Sequence, residues 1–199
     1  MGLFSVKAKP KLARSHSWEN QPEKIFFSRP EKDSFSKGIK EKHFKQINKA
    51  IRKAKSYLEK LGYIMVNHDG AADVKIQIYC AWKDPLINVG MAMVHPTEKE
   101  ASITINMDRV QQWFIGGKVR YGTILHEIGH VLGLVVTETE SAERAGVEKN
   151  VLNHCRHLWC IMTHRRLASY FRISLAIAFR AGGKTKFCKY CEKYLKSRI

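Results

Sequence analysis

The run Gly122-Thr123-Ile124-Leu125-His126-Glu127-Ile128-Gly129-His130-Val131-Leu132-Gly133-Leu134 organises the reading of the whole chain. On a helix, His126 and His130 stand four residues apart on one face, so both imidazoles can reach one metal ion. Glu127 lies beside them, close enough to take a proton without being a ligand. Ile124, Leu125, Ile128, Val131 and Leu132 cover the other faces, as in a helix buried in a core. Gly133 is a stop signal, because glycine adopts the left-handed conformation at little cost. The spacing predicts a helix beginning near residues 117–119 and ending at Gly133.

Upstream, Phe44, Ile47, Ile51, Ala54, Leu58 and Leu61 recur every three or four residues. They predict a long amphipathic helix over about 36–61, stopped by Gly62, with its Lys and Arg on the outer face. Residues 24–28 read as a first strand ended by Pro30, and 63–66 as a short one. Residues 74–80, 90–95 and 101–106 alternate as strands. Downstream, residues 135–153 hold Glu138, Glu140, Glu143 and Glu148 and form an acidic island. Residues 165–181 predict an apolar helix ended by Gly182 and Gly183, and a basic tail follows. Residues 1–22 mix Lys, Ser, Pro and Asn and read as a flexible basic arm. The expected organisation is that arm and a single domain over 23–199.

The net charge is +17, unevenly spread. Residues 1–60 carry 16 Lys and Arg against 6 Asp and Glu, and residues 155–199 carry 11 against 1. Residues 61–154 carry 8 against 11, so the histidine helix lies in a mildly acidic stretch between basic ends. Those ends are either a footprint for nucleic acid or another polyanion, or plain solvated surface. No apolar run approaches a membrane span, and residues 1–20 lack the apolar centre of a signal peptide. The expectation is a cytoplasmic monomer that does not enter membranes.

There are five cysteines. Without an export signal, they read as thiols or metal ligands in preference to disulfides. Cys80 falls on a strand and reads as a buried thiol. Cys155 and Cys160 form C-x4-C, and Cys188 and Cys191 form C-x-x-C. Four sulfurs around one ion make a closed structural site. A catalytic ion needs three protein ligands and an open position. Beyond His126 and His130, the candidates for the third are His154, His157, His164, Glu138 and Glu140.

With the element order, these motifs resemble the metzincin clan of zinc peptidases, whose longer signature is H-E-x-x-H-x-x-G-x-x-H with a later Met-turn. His126, Glu127, His130 and Gly133 match, and the position of the third His holds Val136. Within that clan, archaemetzincins carry H-C-x4-C-x-M followed by C-x-x-C. His154, Cys155, Cys160 and Met162 fit the first motif, and Cys188 and Cys191 the second, with about 18 extra residues before His154. The resemblance implies an α+β, zincin-like fold: a twisted mixed sheet, a long backing helix, an active-site helix and a C-terminal helix. It implies two zinc ions, a catalytic one on His126, His130 and His154, and a structural one on Cys155, Cys160, Cys188 and Cys191. Met162 would be the Met-turn. The implied activity is that of a zinc metalloendopeptidase or aminopeptidase, using a zinc-bound water with Glu127 as general base. Its peptide or protein substrate would pair along a sheet edge at residues 91–94. Two alternatives stand beside it. One is a zinc-binding module that has lost catalysis. The other is a SprT-like protease acting on nucleic-acid-bound proteins.

Overall fold

The structure is a computed structural model, and it describes residues 18, 20, 22–87, 90–111, 116–134, 160–162, 186–197 and 199. Six strands form one sheet: β1 (Lys24–Phe27), β2 (Glu31–Lys32), β3 (Ile64–Met65), β4 (Val74–Ala81), β5 (Gly90–His95) and β6 (Glu100–Asn106). Their order is β3-β1-β4-β6-β5, with β2 also pairing β4. Every pairing is parallel except β5 with β6, which is antiparallel. The expected mixed sheet is therefore present, with parallel pairing dominant.

The four α-helices among the described residues are α1 (Glu41–Leu61), α2 (Met107–Gln111), α3 (Gly116–Val131) and α4 (Lys189–Lys196). The connection from β1 to the parallel β3 runs through β2 and then α1, a crossover that lays α1 across the sheet. Ile47, Ile51, Ala54, Leu58 and Leu61 of the expected stripe are buried, Ala50 joins them, and Phe44 is only partly buried. α1 packs on α3, and α3 packs on β5 and β6. Val74, Ile76, Ile78 and Cys80 of β4 and Ala101, Ile103 and Ile105 of β6 are buried and join the same core. Each fully buried aliphatic side chain contributes about 1.5–3 kcal/mol relative to exposure. No described helix is long and apolar enough to cross a membrane.

Both long helices end as the glycines predict. At α1, Gly62 has φ 110° and donates to the Glu59 carbonyl, while Tyr63 N–H donates to that of Leu58. At α3, Gly133 has φ 83° and donates to His130, while Leu134 N–H donates to Gly129 at 2.8 Å. This paired closure satisfies carbonyls that have no partner inside the helix.

The start of α1 differs from expectation. It begins at Glu41, not near residue 36, because Gly38 has φ 109° and packs on Trp82, which breaks helical geometry. Lys40 is extended, and its N–H donates to His43 Nδ1 at 3.0 Å, which caps the first turn. The tail also departs from a simple basic tail, since residues 189–196 form α4. Trp18 lies within the segment read as an arm, yet its side chain is buried, and its indole N–H donates to the Val131 carbonyl at 2.7 Å. The acidic stretch 135–153 and the apolar stretch 165–181 lie outside the described residues.

Candidate metal centre

α3 carries two histidines and a carboxylate, and three other pieces of chain come close to them. The first is β5. Gly90 lies so near α3 that a Cβ there would stand 2.6 Å from Thr123 Cγ2 and 3.0 Å from Glu127 Oε1. Ala92 N–H donates to the Glu127 carboxylate. Glu127 is only 7% exposed, and burial pushes its pKa up to about 7 against the smaller opposing effect of that hydrogen bond. Desolvation disfavours the charged carboxylate, whereas a cation held alongside would pull the pKa down again.

The second piece is the turn at residues 160–162. His126 Nδ1 lies 2.8 Å from the Ile161 carbonyl. A carbonyl only accepts, so Nδ1 carries the proton, and Nε2 is left as a bare lone pair. His126 Nε2 and His130 Nε2 are 3.2 Å apart, with the two rings nearly perpendicular at 82°. Two nitrogens each about 2.05 Å from a tetrahedral ion would stand about 3.3 Å apart. The donor pair therefore fits one ion, and the bond from Nδ1 to a backbone oxygen is the usual second contact of a metal-ligating imidazole.

Met162 belongs to the same turn and is 1% exposed. It packs against Gly129, where a Cβ would run into the Met162 sulfur and come within 3.0 Å of Phe187 Cε1. Glycine inside a helix costs about 0.5–1 kcal/mol relative to alanine. Here its missing Cβ is what admits the turn against α3.

The third piece is the start of α4. Cys160 Sγ, Cys188 Sγ and Cys191 Sγ all lie within 4.8 Å of one another. Cys160 Sγ and Cys191 Sγ are 3.6 Å apart, and two sulfurs about 2.3 Å from one tetrahedral ion would be about 3.8 Å apart. Cys188 N–H points at Cys160 Sγ over 3.3 Å. These three thiols could hold a metal ion. Tyr57 of α1 secures this end of the chain: it accepts from Phe187 N–H at 3.1 Å and donates to Glu192 Oε1 at 2.5 Å. Burial and the Glu192 bond raise the Tyr57 pKa, which keeps the phenol protonated.

Among the residues singled out from sequence, His126, Glu127, His130 and Met162 meet at one place, and Cys160, Cys188 and Cys191 at a second. His154, Cys155, His157, His164, Glu138, Glu140 and Val136 lie outside the described residues. The structure adds Gly90, Gly129, the Ala92 N–H and the Ile161 carbonyl. Gly129 could have been suspected, since a glycine inside a helix invites a close neighbour. The two backbone groups carry no sequence signal. The chain matches no model of a known protein family, and a search of curated proteins returns no match.

Proposed function

We propose that the protein is a zinc-dependent metallopeptidase resembling the archaemetzincins of the metzincin clan. The observation that carries this reading is the convergence of His126 Nε2 and His130 Nε2 at 3.2 Å beside the buried carboxylate of Glu127. In this reading His126, His130 and a third side chain, His154, hold the catalytic zinc, and Cys155 joins Cys160, Cys188 and Cys191 around a structural one. Bound zinc supplies Lewis acidity and makes a coordinated water acidic enough to ionise near neutral pH.

The chain's own residues do the rest. Glu127 holds and moves the proton: burial raises its pKa, and a cation held alongside would lower it again, leaving the carboxylate ionised to act as the base. Ala92 N–H faces the carboxylate from β5. The Ile161 carbonyl sets the tautomer of His126, and Met162 packs against Gly129 of the same helix. β5 ends the strand order, and no described strand pairs with its outer side. An extended peptide added there would run past Glu127, with recognition dominated by main-chain bonds.

Replacing Glu127 with Gln removes the base while keeping the shape. The zinc-loaded wild type should cleave members of a mixed peptide library, and Glu127→Gln should lose about 100-fold or more of that rate while keeping its metal. Cleavage by the variant at the wild-type rate would remove Glu127 from the mechanism. A fully metallated wild type that cleaves nothing would leave a zinc-binding module in place of an enzyme.

A further inference from the structure

We propose that the outer face of α1 is a nucleic-acid-binding surface, one that tracks the phosphate backbone without reading sequence. Lys42, Lys45, Lys49, Arg52, Lys53 and Lys60 are all exposed. At 3.6 residues per turn they fall within an arc of about 100°, opposite the buried stripe, and they extend over about 27 Å of helix. Ser56 fills the one gap in the stripe and is uncharged. The only carboxylates of α1 are Glu41 and Glu59, near its two ends.

A solvated helix face usually interleaves acids and bases at three- and four-residue spacing, because such pairs stabilise the helix. This face does the reverse. Lys42 and Lys45, Lys45 and Lys49, Lys49 and Arg52, and Lys49 and Lys53 are like-charged neighbours at those spacings, which destabilises an isolated helix. Among the described residues no ion pair holds any of the six. Lys53 additionally lies over the Tyr121 ring at 4.4 Å. Lys55, off the stripe, behaves differently: it lies over Phe27 at 5.4 Å, and burial lowers its pKa. α4 packs beside the C-terminal half of α1 through Tyr57 and Glu192, and it adds exposed Lys189, Lys193 and Lys196.

A straight row of cations with no ion pair among the described residues suits a regular polyanion, whose condensed counterions are released when lysines replace them. A membrane surface suits it less well. Interfacial helices offer an apolar face to the lipid, and that face of α1 is buried in the core. None of the large exposed apolar residues, such as Leu86, Met91 and Met93, lies on α1. This inference does not depend on the metal sites.

The test measures binding of the full chain to a fluorescent duplex of about 25 base pairs, with salt varied between roughly 50 and 200 mM. One variant replaces Lys42, Lys45, Lys49 and Arg52 with Gln. A control removes the same charge elsewhere, with Gln at Lys24, Lys32, Lys83 and Lys99, all exposed. Two double variants, Lys42→Gln with Lys45→Gln and Lys49→Gln with Arg52→Gln, divide the stripe in case four changes disturb folding. The stripe variant should bind about tenfold or more weakly, and the slope of log affinity against log salt should fall by about 3–4. Each double should give about half that change in slope, and the control less than about one. The proposal is overturned if the wild type does not bind the duplex at low salt, or if stripe and control lose affinity equally. Stripe-dependent binding to phosphatidylserine vesicles without duplex binding also overturns it.

Discussion

The two candidate metal clusters are built in opposite ways. The imidazole pair comes from one helix: His126 and His130 are neighbours by helical repeat on α3, and their Nε2 atoms stand 3.2 Å apart. The thiol group is assembled across the chain. Cys160 comes from a turn, while Cys188 and Cys191 come from the start of α4, 28 and 31 residues later. A locally encoded pair survives small shifts of its surroundings. A cluster joined across the chain holds its own surroundings together, because a metal closing a long loop restricts the unfolded chain. The two are also linked. The turn at 160–162 provides a thiol to one and a carbonyl to the other, and between them Met162 packs against Gly129.

The largest expected effect comes from breaking the assembled cluster. Structural zinc sites are worth about 10 kcal/mol or more of apparent binding free energy, which is folding free energy when the site forms only in the native state. A Cys188→Ala/Cys191→Ala variant should lose one equivalent of metal and unfold roughly 10 °C lower or more. Because Cys160 anchors the turn that orients His126, the histidine site should also hold its ion less tightly. Metal analysis under graded chelator, alongside thermal unfolding, gives both readings. An unchanged melting temperature would mean that the thiols are not a structural clamp.

Removing a ligand from the local site should have a narrower effect. If His154 is the third ligand, His154→Ala should lose one metal equivalent under chelator that leaves the wild type intact. The thiol-bound metal should remain, and the melting temperature should move little. His157→Ala and His164→Ala should keep both metals. Retention of both by His154→Ala would move the search to Glu138 and Glu140.

These two predictions differ in how much of each site could be read in advance. The histidine helix was readable because its signal is periodic and local, and Gly133 announced its end. α1 was readable for the same reason, apart from its first turn, where Gly38 and its contact with Trp82 decide the start. The sequence of α4 carries no helical signal of its own. It has eight residues, and only Cys191 and Leu195 among them are buried, too few to show a period. β2, with two residues, had no pattern to show. The C-x-x-C spacing pointed to a metal, but the meeting of Cys160 with Cys191 depends on tertiary contacts. The same is true of the Ile161 carbonyl.

The link between the clusters can be tested at Gly129. In an ordinary helix interior, alanine would stabilise by about 0.5–1 kcal/mol. Here the added methyl meets the Met162 sulfur and Phe187 Cε1. Overpacking typically costs about 1–3 kcal/mol, more than the gain in helix propensity, so Gly129→Ala should be destabilising overall. By displacing the turn it should also lower metal retention at both clusters together. Denaturant unfolding and metal content check the two parts. A variant more stable than wild type, with both metals intact, would show that the turn does not sit so close to α3.

The smallest expected effect on the metal sites lies at the far end of α3, where a pair of variants separates packing from hydrogen bonding. The indole N–H of Trp18 donates to the Val131 carbonyl at 2.7 Å, near the end of the helix, where carbonyls lack partners from within it. Trp18→Phe keeps most of the apolar contact and removes the donor. The lost bond is worth about 0.5–1.5 kcal/mol, with the upper part of that range expected because the Val131 oxygen is then left buried without this partner. Trp18→Ala removes the packing as well and should cost about 3–5 kcal/mol if the site does not collapse. Neither change touches the turn at 160–162, so both metals should be retained at wild-type chelator resistance. Equal losses in Phe and Ala variants would make the hydrogen bond the whole contribution. No loss in either would mean that residue 18 does not hold the end of α3 in solution. A fall in metal content would mean that support from Trp18 at Val131 reaches His130, one residue away, and that the local site is less self-sufficient than its helical spacing implies.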